Sequence, residues 1–361
     1  MISLTEPAAE LLVAEHAFTP GLPGFVGLSV DLLLDEPGLP DSLVGSLRER
    51  PPLRHGLLGA RSARIAVVSG PPSPGIDVVA ARMAEDLPMP HPLIAGHGIA
   101  VLTEAADAVD PATAAGDTYA TATAGIRVAL EAGVEGGGPF GLRRRWNLAH
   151  ALAPVLAAAF ANAPLRHGRP SGWRSTRQAL RRSLPSAPPT ADPRGAWTAL
   201  VLDAPVAGTG RTLRAWSRSG PGDRPTITDL TRHLASLRPP VAARGHLELD
   251  MADRQPGNGW RVPLAVIAAL LDDPPAATEA EAATRALAGT PRLWERAARD
   301  ALTDPELAAV ARECFVAAYA SLSRQGVSRE LRDAVADFTE RYVLRGRCPA
   351  DDVLDRATAR P

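Results

Sequence analysis

Apolar and polar residues alternate along two segments of this chain, which is the pattern of a strand with one buried face. In residues 124–132 every second residue is apolar, and the opposite face carries Arg127 and Glu131. The segment RGHLELDM repeats the alternation and puts Glu248 and Asp250 on its polar face. If both strands belong to one sheet, their charged side chains meet on the face opposite the core.

Further apolar patterns predict the remaining strands and helices of the first two thirds of the chain. Strands are predicted at 24–34, 63–69, 98–103 and 197–203, and helices at 5–17, 74–86, 143–161 and 229–237. Segments rich in proline predict loops at 35–61 and 182–195.

From residue 260 onward the sequence predicts helices only, at 260–271, 278–288, 291–302, 304–322 and 328–345. Thr278-x-x-Glu281 and Thr303-x-x-Glu306 fit the capping box that begins a helix. Strands interleaved with helices and followed by a helical block indicate an α+β fold. We predict a single domain over 1–361, with a sheet-containing core at about 20–255 and a helical part at about 258–346.

The charges of the chain nearly balance, which narrows the possible functions. Its 39 basic and 40 acidic residues give a net charge of −1, without the positive field that nucleic-acid binding requires. All the basic residues are Arg. The lack of Lys excludes Schiff-base and pyridoxal-phosphate enzymes and a G-x-x-x-x-G-K-[ST] phosphate loop, because each needs a lysine. We therefore expect no nucleic-acid partner.

The cysteines and the N-terminus indicate a reducing compartment. Cys314 and Cys348 show neither a disulfide pattern nor metal-ligand spacing. The N-terminus has no basic segment followed by an apolar core, and no apolar run reaches transmembrane length. We expect a cytoplasmic protein with no membrane partner.

Two interpretations of the charged strand faces are open. Carboxylates and Arg side chains on one sheet face are typical of magnesium-nucleotide and amino-acid sites, because hard cations take oxygen ligands. The alternative is a set of salt bridges on a wet sheet surface. The histidines are scattered, and we expect His150 and His246 to be packed or solvated rather than metal ligands.

Two long segments resemble a known enzyme family. Residues 146–177 read WNLAHALAPVLAAAFANAPLRHGRPSGWRSTR, and residues 226–263 include HL and LELDMADRQP. Together they resemble the actinobacterial glutamate–cysteine ligases of ergothioneine biosynthesis, in the plant-type glutamate–cysteine ligase superfamily. The resemblance implies a curved, mostly antiparallel sheet that forms a funnel, as in glutamine synthetase, with a helical C-terminal block.

The resemblance also implies a reaction and a set of site residues. ATP would phosphorylate the γ-carboxylate of glutamate with Mg²⁺ as the cofactor, and the amine of cysteine, or an analogous amine, would attack the acyl phosphate. Arg side chains would grip carboxylate and phosphate groups with two donors each. By this resemblance the catalytic residues are Arg174 and Arg177, the substrate- or nucleotide-binding residues are Ser175, Arg127 and His233, and the metal ligands are Asp31, Glu131 and Glu248.

Several positions depart from the pattern of that family. Its first strand reads G-[VL]-E-x-E, whereas this chain has Ser29 and Asp31 at the two acidic positions. Arg127 stands where the family has Gln, and Asp250 where it has Arg, so we hypothesise that these two form a compensating ion pair. Two functions therefore remain open: a ligase with a reduced metal site, and a degenerate, non-catalytic paralogue that binds a small molecule or another subunit.

Overall fold

The computed structural model describes residues 3–35, 39–48, 53–106, 123–166, 169–181 and 189–359. Its strands are β1 (Phe25–Leu33), β2 (Leu57–Ser62), β3 (Ile65–Ser69), β4 (Ser73–Pro74), β5 (Gly125–Leu130), β6 (Leu165–Arg166), β7 (Arg169–Pro170), β8 (Val241–Ala243) and β9 (Leu247–Asp253).

The described part of the chain has helices throughout, and after β9 its regular elements are all helical. The helices are α1 (Glu6–Ala17), α2 (Asp41–Arg48), α3 (Ile76–Asp86), α4 (Pro90–Ala95), α5 (Leu142–Ala159), α6 (Thr176–Arg181), α7 (Pro193–Asp203), α8 (Leu213–Ser217), α9 (Ile227–Ser236), α10 (Arg261–Asp272), α11 (Pro274–Thr284), α12 (Leu293–Arg299), α13 (Pro305–Arg324), α14 (Arg329–Arg341) and α15 (Pro349–Thr358). No helix among the residues described is long and apolar enough to span a bilayer.

The chain divides into two compact units. The small unit comprises Met1–Pro23, Leu130–His150 and Ser183–Asp250. The large unit comprises Gly24–Ala129, Ala151–Arg182 and Met251–Pro361. The expectation that residues 1–361 form a single domain stays a prediction.

An open, mostly antiparallel sheet organises the fold, in the strand order β2-β3-β1-β5-β9-β8 with β4 beside β1. In the large unit β1 pairs antiparallel with β3, and Asp31 lies opposite Val67. In the small unit β8 pairs antiparallel with the first half of β9. The predicted α+β class with an antiparallel sheet is therefore confirmed.

The strand β5 is buried on both faces, although its alternating sequence predicts one wet face. Its polar face carries Arg127, which is buried like the apolar residues Ile126 and Val128 on the other face. Burial of a charge is tolerated only when another charge or hydrogen bonds satisfy it. The buried Arg127 therefore directs attention to the side chains around it.

The helical part of the large unit packs around α10. Residues Val262 to Leu271 of α10 are all buried, which explains why this segment is apolar on every side. Beside it, Phe160, Phe315 and Phe338 form an aromatic cluster with centroid distances of 5.4–5.8 Å. This core therefore holds Phe160, which follows the last residue of α5.

The segment 197–203 is a helix, so the predicted strand there is wrong. The helix α7 begins at Pro193, and the carboxylate of its N-cap residue Asp192 accepts from the backbone N–H of Gly195 at 3.0 Å. Asp followed by Pro is a helix start signal. Both residues lie in the predicted loop 182–195, and without a helix start the apolar residues 197–203 fit the pattern of a buried strand.

Four other expectations also need correction. The predicted loop 35–61 contains α2 and β2, and near 98–103 the structure has only a single bridge between Leu34 and Val101. The helices α11 and α13 begin at the N-caps Asp273 and Asp304, so Thr278 and Thr303 do not cap them. The C-terminal helix α15 was not predicted. Of the predicted loop 182–195, residues 182–188 lie outside the described part.

We expect the substitution Asp192→Ala to lower the free energy of unfolding by about 1 kcal/mol, because the N–H group of Gly195 in the first turn of α7 loses its acceptor. Urea unfolding followed by circular dichroism measures the loss. Glu279→Ala, at an exposed position within α11, is the matched control and should change stability little. Equal stability of D192A and E279A would contradict the capping role.

Candidate functional site

A buried carboxylate lies at the centre of the sheet in the large unit. Asp31 on β1 has no solvent exposure. Its Oδ1 accepts from Arg127 Nη1 at 3.0 Å, and its Oδ2 accepts from Arg61 Nη2 and from the backbone N–H of Gly125, each also at 3.0 Å. We call these four residues the Asp31 network. Both carboxylate oxygens are thus engaged by donors of the protein itself.

The GWRSTR segment (residues 172–177) places Ser175 and Arg177 beside a second buried carboxylate in the same unit. Asp253 on β9 accepts from the backbone N–H of Asn162 at 2.8 Å. Arg177 Nη1 lies 3.6 Å from Asp253 Oδ1 and donates to the carbonyl of Ala252 at 3.2 Å. Burial raises the pKa of Asp253, and the positive charge of Arg177, the Asn162 N–H and a hydrogen bond from Ser175 counteract this rise.

Arg177 also packs against the Asp31 network. A Cβ atom added to Gly125 would lie 2.2 Å from Arg177 Nη2 and 2.3 Å from its Cζ. The guanidinium group therefore lies directly on the glycine, whose N–H holds Asp31. Arg177 is 1% exposed and Ser175 is fully buried. Their predicted contact with substrate stays a prediction.

Arg174 faces a different partner from Arg177. Its Nε donates to Asp351 Oδ1 at 3.1 Å, and the other oxygen of Asp351 accepts from the backbone N–H of Cys348 at 2.9 Å. Arg174 therefore ties the GWRSTR segment to the start of α15. Its assignment as a catalytic residue remains a prediction.

A cavity of about 610 Å³ opens in the large unit beside these residues. Its walls come from residues 103–106, from residues 162–165, which include the end of the FANAP segment (residues 160–164), and from α15 with Asp352 and Val353. About 300–1,000 Å³ is typical of small-molecule sites. The volume therefore suits a ligand of the size of a nucleotide or a pair of amino acids.

Arg254 connects the cavity wall with the Asp31 network electrostatically. Its Nη1 donates to the carbonyl of Leu102 at 2.6 Å, and its own carbonyl accepts from Asn162 Nδ2 at 2.8 Å. Burial lowers the pKa of Arg254, while the charges of Asp31 and of Glu104, which lines the cavity, oppose that effect. A guanidinium group in such a place remains charged at any physiological pH.

Two other predicted metal ligands meet in the small unit, around His246. Burial lowers the pKa of His246; the charges of Glu248 and Glu131 oppose that shift, while that of Arg244 adds to it. Glu248 accepts from Arg244 Nε at 2.8 Å. The carboxylate of Glu131 packs on Gly21, where an added Cβ would lie 2.5 Å from Oε2. His246 is partly buried here, as the sequence analysis allowed.

Two histidines of the small unit, His233 and His150, pack against helical residues. His233 is 2% exposed, and its Nε2 lies 2.8 Å from the carbonyl of Val201 on α7. His150 packs against Trp146 with ring centroids 4.6 Å apart, and burial lowers its pKa to about 4. His150 is packed as expected, whereas the substrate-binding role predicted for His233 stays a prediction.

The residues present do not fit a bound magnesium ion at Asp31. Mg²⁺ prefers oxygen ligands in octahedral geometry and is usually held by one or two carboxylates. Both oxygens of Asp31 already accept from Arg61, Arg127 and Gly125. Within the ranges that the structure describes, no group of three or more His, Cys, Asp or Glu side chains could hold a metal ion.

Comparison with known proteins identifies the family. The model described as "Glutamate-cysteine ligase family 2(GCS2)" matches residues 103–361, which include the cavity walls and both GWRSTR and LELDMADRQP. The chain belongs to this family. The resemblance recognised in the sequence is thereby confirmed.

Individual relatives agree with this assignment. The glutamate–cysteine ligase EgtA of Mycobacterium tuberculosis (strain H37Rv) is 30% identical over 403 aligned residues, covering 98% of this chain and 90% of that protein. EgtA of Mycolicibacterium smegmatis is 36% identical over 272 residues, covering 68% of this chain and 60% of that protein. In the second match the chain thus spans less than two thirds of the relative.

Solved structures show the same fold. The glutamate–cysteine ligase of Francisella tularensis, crystallised in complex with AMP, superposes with a TM-score of 0.56 at 12% identity, covering 95% of this chain and 86% of that one. A bifunctional glutathione synthetase from Pasteurella multocida gives a TM-score of 0.50 at 13% identity, covering 98% of this chain and 50% of that one. The predicted fold class is confirmed by these matches.

Sequence reasoning missed three residues of this site. Arg61 was placed in a loop, and Arg254 and Asp253 were read only as parts of a motif. Alternation could not have found Asp253, because it is the third acid of LELDMAD and follows Leu247, Leu249 and Met251 on the apolar face of the strand. The proposed pairing of Arg127 with Asp250 stays a prediction, while the pairing of Arg127 with Asp31 is observed.

We expect Gly125→Ala to lower the free energy of unfolding by about 1–3 kcal/mol, because the new methyl group must displace the buried guanidinium of Arg177. Gly137→Ala is the matched control, since nothing lies within 4 Å of the added Cβ there. Denaturant titration of both variants measures the difference. A G125A protein as stable as G137A would show that Arg177 is not fixed against Gly125.

Burial of His150 makes the protein sensitive to acid. The unfolded chain protonates this ring near pH 6.5 and the folded chain only near pH 4. Stability is therefore fully present above pH 6.5 and falls by up to about 3 kcal/mol as the pH drops to 4. His150→Phe should remove this part of the loss, measured by urea unfolding at pH 7 and pH 4.5. An unchanged loss in the variant would refute the assignment.

Proposed function

We propose that this protein is an ATP-dependent carboxylate–amine ligase that joins glutamate to cysteine as γ-glutamylcysteine for ergothioneine biosynthesis, in the cytoplasm. The observation that carries the proposal is the family match over residues 103–361, together with a relative named glutamate–cysteine ligase EgtA that covers 98% of the chain. The AMP complex of the F. tularensis enzyme supports a nucleotide as one ligand.

The cavity of the large unit is the candidate place for these small molecules. Its volume of about 610 Å³ and its mixture of charged and apolar walls suit an adenine nucleotide with an amino acid. Glu104, Arg341 and Arg356 line it. Carboxylate and phosphate groups are commonly bound by guanidinium donors.

The proposed reaction needs positive charge where the acyl phosphate forms. When bound, ATP supplies the phosphoryl group that activates the carboxylate. Arg341 and Arg356 line the cavity, whereas Arg127 belongs to the Asp31 network and Arg177 packs on Gly125 of that network. None of these roles requires a metal ligand from Asp31.

A second candidate function is a non-catalytic paralogue that binds a small molecule or another subunit. The observation in its favour is the engagement of both Asp31 oxygens by arginine and backbone donors. Such a protein keeps the fold and its cavity but turns over no substrate.

A ligase assay separates the two candidates. We would incubate the purified protein with ATP, glutamate and cysteine, follow ADP release, and identify γ-glutamylcysteine by mass spectrometry. ADP release that depends on both amino acids supports the ligase. Absence of turnover, combined with calorimetric binding of AMP, supports the paralogue. Absence of both turnover and nucleotide binding would refute the ligase proposal.

A substitution in the cavity wall tests whether the cavity is the site. Val353→Trp on α15 narrows the cavity. We expect AMP affinity to fall at least about tenfold, because the larger side chain occupies space that the nucleotide needs. A tenfold loss corresponds to about 1.4 kcal/mol of binding free energy. Val316→Trp, at an exposed position of the helix α13, is the matched control. Calorimetry measures both affinities, and circular dichroism confirms folding. Equal affinities would move the nucleotide site elsewhere.

A further inference from the structure

The carboxylate of Asp31 carries an inference that does not depend on the proposed function. We propose that Asp31 is a structural counter-ion for Arg61 and Arg127 and binds no divalent cation, so that the positive charge at this sheet face comes from guanidinium groups alone. The resemblance to the ligase family implied the opposite role, a metal ligand. The contacts of the three side chains support this assignment.

Both carboxylate oxygens of Asp31 already have donors from the protein. Each Asp31 oxygen accepts from a guanidinium group at 3.0 Å, and Oδ2 accepts in addition from the Gly125 N–H. A metal ion bonded to either oxygen would have to displace a charged donor inside the protein. Asp31 is fully buried, and the side chains of Arg61 and Arg127 are only 13% and 9% exposed, so displaced guanidinium groups would have little access to water.

Electrostatic repulsion also opposes a metal ion at Asp31. A metal ion at about 2.1 Å from an Asp31 oxygen would lie within about 6 Å of two guanidinium charges. Two positive charges repel strongly at such distances in a buried, low-dielectric place. Binding would therefore require Arg61 and Arg127 to move away, and Arg61 is further fixed by its hydrogen bond to the carbonyl of Thr123 at 2.5 Å.

The Asp31 network also connects strands of the sheet. In the sheet order β2-β3-β1-β5, Arg61 reaches from β2 across β3 to Asp31 on β1, and Arg127 reaches Asp31 from β5. The adjacent position Ser29 on β1 likewise bonds a strand neighbour, with 3.0 Å between its hydroxyl and that of Ser69 on β3. The polar face of β1 thus joins neighbouring strands of the sheet.

Paramagnetic broadening tests the proposal on the unmodified protein. The Gly125 N–H lies 3.0 Å from Asp31 Oδ2, so Mn²⁺ bound to that oxygen would sit within about 5 Å of it. The Gly56 N–H, which donates to the buried Asp86 at 2.7 Å, is the matched reference. We would record both amides in protein labelled with ¹⁵N-glycine, with equimolar Mn²⁺, alone and with a non-hydrolysable ATP analogue.

We expect the Gly125 resonance to keep the same intensity as the Gly56 resonance under both conditions. Selective loss of the Gly125 signal would overturn the proposal. The broadening experiment does not depend on turnover. Its outcome therefore decides whether Asp31 binds a metal ion, whether the ligase assay succeeds or fails.

Thermal unfolding provides a second test. We expect the melting temperature of the unmodified protein to be the same in MgCl₂ and in EDTA, and Asp31→Asn to lower it by about 5–10 °C, because two buried guanidinium groups lose their counter-ion. Asp333→Asn, at an exposed ion pair on α14, is the control with little effect. A magnesium-dependent rise in melting temperature that D31N abolishes would overturn the proposal. If D31N does not fold, the broadening of Gly125 decides.

Discussion

The burial of the Asp31 carboxylate is the constraint on which the large unit depends. A carboxylate without solvent contact is costly unless charged partners and hydrogen bonds compensate it. Here Arg61, Arg127 and the Gly125 N–H provide that compensation. Because these donors come from β2 and β5, the requirement fixes the positions of strands on both sides of β1. The polar face of the sheet is therefore an internal layer and not a wet surface.

A second buried carboxylate extends this layer toward the cavity. Asp253 is held by the Asn162 N–H and by Arg177, whose guanidinium packs on Gly125. Asn162 belongs to the FANAP segment that forms part of the cavity wall. Arg174 and Arg177, which the family resemblance selected as catalytic, are not among the residues that line the cavity. Their catalytic role stays a prediction.

The family relation and the changed site lead to different expectations about metal. Membership of glutamate–cysteine ligase family 2 covers the cavity walls and the whole helical part. The two oxygens of Asp31, which a metal ion could otherwise use as ligands, are nevertheless already paired with Arg61 and Arg127. Arginine stays charged at all physiological pH values. A protein that draws its positive charge from guanidinium groups gains fixed geometry and loses the exchangeable ligands of an ion.

The sequence by itself determined the α+β class, the β1 and β5 strands, the helical last third and the family, because alternation, helical periodicity and long motifs are local signals. It did not identify α7, since Asp192 and Pro193 were read as loop residues although they begin a helix. Only the tertiary structure decided which acidic and basic side chains form ion pairs. Arg61, Asp31 and Arg127 lie far apart in the chain and come together through strand order. Pairing across a sheet depends on contacts that no local pattern encodes.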